Sequence, residues 1–145
     1  MGAWGTGHFE NDAALDWVEE AVEADSLESL VDHLVDEMDG EVELEAPLAR
    51  TALCLGELVA AAGGRPGGRL PGALTRWLEG ADVDLPRAKA EALLVAVADA
   101  ADPARSELAR EHAASGQLGP FLEEVRGLTL RLRPLATGPR PLSEA

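Results

Sequence analysis

A single cysteine, no tyrosine and no lysine or arginine before Arg50 are the first facts of this 145-residue sequence. One cysteine, Cys54, forms no intrachain disulfide and builds no multi-cysteine zinc site. Only Trp4, Phe9, Trp17, Trp77 and Phe121 are aromatic. The core must therefore be mostly aliphatic, which suits packed helices better than a β-sandwich. No apolar run approaches the roughly 20 residues of a membrane helix. The opening residues lack the basic start and apolar stretch of a signal peptide, so a cytoplasmic protein is expected. No segment repeats at a period of about 20–50 residues, which argues against a solenoid.

What is present is ordinary in amount and uneven in placement. Apolar residues make up 46% and charged residues 27%, the proportions of a globular chain of one domain. Arginine outnumbers lysine eleven to one, a bias that points to a high-GC bacterial genome. The net charge is −15. Residues 1–49 hold fifteen acids and no lysine or arginine, while the remainder holds twelve acids and twelve lysines or arginines. Such a field repels phosphate backbones and anionic lipid, so neither nucleic acid nor membrane is expected as a partner. Two readings of the acidic third stand: a solvated face that keeps the chain soluble, and a surface that attracts a basic protein.

Periodicity predicts an all-α domain over residues 1–133, a single compact bundle of six or seven short helices behind an irregular loop rich in glycine and tryptophan. Asn11 or Asp12 can cap a first helix that runs to about residue 24, with Leu15, Val18 and Val22 inward. Asp25 and Glu28 read as a capping box for a second helix. Its stripe is Leu27, Leu30, Val31, Leu34, Val35 and Met38, and Gly40 stops it. Residues 41–47 alternate like a strand too short to pair, and read as an extended connector. Pro47 then opens a third helix to residue 62, apolar on nearly every side and so central. There Cys54 reads as buried and Gly56 as a point of close packing. The run at 63–72 reads as a flexible linker. Further helices are predicted at 71–79, from Pro86 to about 101, at 104–114 behind an Asp102-Pro103 cap, and from Pro120 to about 133. The last has Phe121, Leu122, Val125, Leu128 and Leu132 as its stripe. Arg126, Arg131 and Arg133 complement its C-terminal dipole. Residues 134–145, rich in proline, read as a disordered tail.

No catalytic set assembles on this frame. No serine sits in a G-x-S-x-G elbow, and Cys54 has no neighbouring base. The expectation is a protein that is not an enzyme and carries no cofactor. His33 shares a helix face with Asp36 and Glu37, but one histidine with carboxylates falls short of a full metal-ligand set. No metal site is predicted. Gly2, Gly5 and Gly7 have neither the preceding strand nor the following G-K-[ST] of a phosphate cradle.

The segment MGAWGTGHFENDAALDW resembles the opening of the bacterial domain-of-unknown-function family DUF4259. The matching residues are Gly2, Ala3, Trp4, Gly5, Gly7, Phe9, Asn11, Asp12, Ala14, Asp16 and Trp17, eleven of sixteen positions. His8 stands where the family more often has proline. The likeness extends through EAPLARTALCLGELVAAAGGRP, Leu70–Leu78 and the SELAREH to FLEEVRGLTLRL region. It implies a small all-α protein and transfers no catalytic residues. The motif has two readings: a buried hook, with Trp4 and Phe9 packed on Trp17 and Asn11 or Asp12 capping, or a polar contact point at Asp12 and Asp16.

The functional expectation is an acidic interaction domain, immunity-like or antitoxin-like, that binds a basic protein. Asp32, Asp36, Glu37, Asp39, Glu19, Glu20 and Glu23 are the expected contact residues. The alternative is a regulator binding a small ligand or metal through His8, Asn11, Asp12 and Asp16.

Overall fold

The computed structural model describes residues 12–137, apart from the side chains of Ala13 and Thr137. The predicted N-terminal loop, with Trp4, His8, Phe9 and Asn11, and the last eight tail residues lie outside that range. Within it the chain is all-α, with seven helices: α1 Asp12–Ala21, α2 Leu27–Met38, α3 Ala46–Ala62, α4 Gly72–Gly80, α5 Arg87–Ala100, α6 Glu107–Ala114 and α7 Leu118–Thr137.

Helix α3 is the axis. Its interior positions from Ala52 to Ala60 are all buried, because it packs against α1, α2, α5, α6 and α7 together. A helix surrounded on all sides cannot be amphipathic, which is why its sequence is apolar all round. Gly56 allows the closest approach. A Cβ there would lie 2.9 Å from Leu128 Cδ2 and 3.3 Å from Val97 Cγ2. Helix α5 packs most extensively on α7, and the core runs continuously from Ala14 to Leu132.

Several local expectations are corrected. The inward stripe of α1 is Ala14, Val18 and Ala21, with Leu15 49% exposed. The helix ends at Ala21, and the turn that follows offers the Ala24 carbonyl to Trp77 Nε1, which donates to it at 2.9 Å. The cap of α2 is Ser26, whose side chain accepts from the Ser29 amide, so Asp25 stands outside the helix. Helix α6 begins at Glu107 with Ser106 as its cap. Asp102 instead closes the preceding turn, accepting from the Ala104 amide at 2.9 Å. Leu122 on α7 is exposed. That helix also runs through Pro134 to Thr137, past its expected end near 133. Proline at 134 frees only the carbonyl of Leu130, an exposed residue where water can serve it.

Two backbone clasps fix the loops. Leu27 donates to the Asp82 carbonyl at 2.9 Å, tying the α1–α2 turn to the α4–α5 loop. In the connector, Leu44 is fully buried, donates to the Arg105 carbonyl at 2.7 Å and accepts from the Glu107 amide at 2.9 Å. Residues 41–45 therefore do find a partner, though only as an isolated parallel bridge to the α5–α6 loop.

Candidate functional site

Three segments enclose the main groove of the molecule. Its apolar floor comes from Trp17, Ala21 and Ala24 around α1, Leu30 and Leu34 of α2, and Pro47 and Leu48 of α3. The volume is about 920 Å³. Ala21 and Leu34 are buried, and Trp17, Leu30 and Leu48 are half-buried. An apolar floor left in this state is partly wet, and covering it is favourable at roughly 25 cal/mol per Å².

The rim is acidic. Glu20 and Glu23 come from α1 and the turn after it, Glu37 from α2, and Glu41 and Glu45 from the connector. All five are exposed, and no lysine or arginine is among the lining residues described. The clasp at Leu44 positions Glu41 and Glu45, since it holds the backbone on either side of that residue. Arg105 adds a donor to the Glu41 backbone carbonyl at 2.9 Å, and the Glu41 side chain is exposed. His33 lies in the lining, with Nε2 3.7 Å from Glu37 Oε1. No ion pair among the described residues reaches Glu20, Glu23, Glu41 or Glu45.

The structure divides the seven predicted contact residues. Glu20, Glu23 and Glu37 meet at the groove, but Glu19, Asp36 and Asp39 are exposed away from its lining. Asp32 lies elsewhere: its carboxylate holds Lys89 Nζ at 2.5 Å, across to α5. That hydrogen bond raises the Lys89 pKa above its ordinary value. Asp32 is thus engaged within the chain. Sequence reasoning missed Glu41 and Glu45, and the half-buried Leu30 was read only as core. Alternating Glu41, Glu43 and Glu45 was the available signal, since a connector that buries Leu44 must turn its neighbours outward.

The remaining chemistry-bearing groups lie elsewhere. Asp16 and Trp17 border a smaller cleft with Arg50 and Cys54. Asp12 is exposed at the first residue of α1, and of the motif only Asp12, Ala14, Asp16 and Trp17 fall among the described residues. Burial, with Glu57 adding to it, pushes the Cys54 thiol up to about 12. His112 stacks on Phe121 with ring centroids 4.3 Å apart, and burial followed by nearby Arg50 lowers its pKa. No group of three or more metal-ligating side chains occurs among the described residues, and no helix described is long and apolar enough to cross a membrane.

The fold and this charge arrangement coincide with a family match. The family model described as Domain of unknown function (DUF4259) covers residues 2–123. The chain belongs to DUF4259. Comparison with curated proteins and with solved structures gave no match. The DUF4259 match ends inside α7 and spans α1–α6, so the groove and all its rim carboxylates lie within the family domain.

Proposed function

We propose that this DUF4259 protein is a non-enzymatic cytoplasmic interaction domain whose acidic pole docks a basic protein, as an immunity protein or antitoxin covers a basic surface. The observation that carries the reading is the groove itself: five exposed carboxylates around an apolar floor, with no lysine or arginine in the described lining. A purely solvating acidic face needs no apolar floor. A docking surface does, because charge steers the encounter while buried apolar area holds the complex.

The test is a comparative pull-down in low and in moderate salt. The native chain is set beside Glu20→Lys/Glu23→Lys/Glu37→Lys/Glu41→Lys and beside a control reversed at Glu91 and Glu123. A basic protein held by the native chain and the control, weakened by salt and lost from the rim variant, supports the reading. A partner indifferent to rim reversal, or none retained, overturns it.

A further inference from the structure

We infer that the groove takes one amphipathic helix of a basic protein, its apolar stripe on the Trp17–Leu30–Leu48 floor and its lysines or arginines reaching the rim carboxylates. This inference rests on the acidic pole being a docking surface and goes on to say what shape of segment docks there.

The argument starts from the backbone of the guest. The groove walls are helices, whose backbone groups bond within the helix, and a connector held on both backbone groups of Leu44, and no strand is among the described lining residues. An extended segment laid on this floor would bring amide and carbonyl groups against Leu30, Leu34 and Leu48 with nothing to pair with. Each buried unpaired group costs the loss of its hydrogen bonds to water, so even two or three cancel much of the gain from apolar contact. A helix satisfies its own backbone and presents only side chains.

Charge agrees with that choice. Carboxylates arrive from α1, α2 and the connector, so a guest needs cations on both flanks of its apolar stripe, the pattern of a basic amphipathic helix. Among the described residues, Glu20, Glu23, Glu41 and Glu45 carry no ion pair that a guest would have to break.

Two capped peptides of about 14 residues, four helical turns, test this. Both have one composition of leucine, alanine and lysine. In the first, leucines recur at three- and four-residue steps on one face; in the second, the order is scrambled. Each is labelled and titrated against the native full-length chain by fluorescence anisotropy, with circular dichroism of the bound peptide. The expected result is binding of the patterned peptide about tenfold or more tighter than the scrambled one, with gain of helicity. Binding should be lost in Glu20→Lys/Glu23→Lys/Glu41→Lys/Glu45→Lys and kept in the control reversed at Glu91 and Glu123. All the substituted side chains are exposed, and circular dichroism of the variants checks their fold.

Equal affinity for both peptides, lost on rim reversal, overturns the helical guest and leaves the acidic docking surface standing. If neither peptide binds the native chain but the patterned one binds Trp4→Ala/Phe9→Ala, the groove belongs to the chain's own residues 1–11 and the inference falls. Binding of spermidine with neither peptide bound overturns it in favour of a small polycation. Failure of the docking reading is read separately, in the pull-down with the native partner.

Discussion

At the scale of single residues, the least expected feature is the ion pair between Glu57 and Arg131. Arg131 reaches Glu57 with two parallel hydrogen bonds, of 2.9 and 3.1 Å, and its Nη1 also lies 3.4 Å from the Arg65 carbonyl. A Cβ on Gly67 would stand 2.5 Å from Arg131 Nη2, so that glycine lets the loop backbone lie on the guanidinium. The loop before α4, part of the 63–72 run expected as a flexible linker, is therefore held to α3 and α7 at Arg65 and Gly67. Arg131, read in the sequence as a charge near a helix end, is a bracket. The 74 residues separating the partners hide the pair from any local pattern. With side chains 11% and 24% exposed, the pair is largely dry. Removing one partner strands the other, and Glu57→Ala or Arg131→Ala is expected to cost about 3 kcal/mol in urea unfolding. The double variant Glu57→Leu/Arg131→Met should cost less than either, since it leaves no charge behind. Cys54 gives a second test. It is buried, with a thiol pushed up to about 12, so almost no thiolate exists at neutral pH. Ellman's reagent should leave the native chain unreacted over minutes and titrate one thiol per chain in urea. Rapid reaction without denaturant would place Cys54 on an open face.

At the scale of elements, periodicity was legible and capping was not. The stripes of α2 and α7 and the all-round apolarity of α3 identify those helices, because burial selects residue type at helical spacing. Caps depend on one hydrogen bond each. Ser26 displaced Asp25, and Ser106 displaced the Asp102-Pro103 pair, since several small polar residues stood within reach and tertiary clasps chose among them. Glu20, Glu23 and Glu37 were legible as acidic, but their convergence depends on how α1 lies across α2 and α3. The connector residues Glu41 and Glu45 enter only because Leu44 is clasped to the α5–α6 loop. Gly56 shows how tightly two elements can constrain one position. Alanine would favour the helix by about 1 kcal/mol, yet its methyl would press on Leu128 and Val97 inside the core. Overpacking costs about 1–3 kcal/mol, so Gly56→Ala is expected to lower the urea midpoint with a net loss of about 1 kcal/mol. A raised midpoint would mean that α3 and α7 part without strain.

At the scale of the molecule, charge is separated from the forces that hold the fold. The core runs through all the layers, while the whole excess of −15 sits in residues 1–49. Only some of those acids are neutralised internally. Asp32 is held by Lys89 and Glu43 by Arg110, both from the later two thirds of the chain. The groove carboxylates Glu20, Glu23, Glu41 and Glu45 stay uncompensated by ion pairs among the described residues. Their mutual repulsion opposes the folded state, which brings α1, α2 and the connector together. At about 0.01 M salt the screening length is roughly 30 Å, longer than a groove of this size, and at about 0.15 M it falls to roughly 8 Å. The melting temperature of the native chain should therefore rise between those two salt concentrations. Exposed ion pairs such as Arg110–Glu43 weaken with salt, but each contributes only about 0–1 kcal/mol, so they do not reverse the sign. The variant Glu20→Lys/Glu23→Lys/Glu41→Lys/Glu45→Lys should melt higher than the native chain at low salt and respond less to added salt. Thermal melts of the two chains across that range decide the matter. If the native chain is insensitive to salt, the carboxylates are not in repulsive contact, and the groove holds no electrostatic strain for a basic guest to relieve.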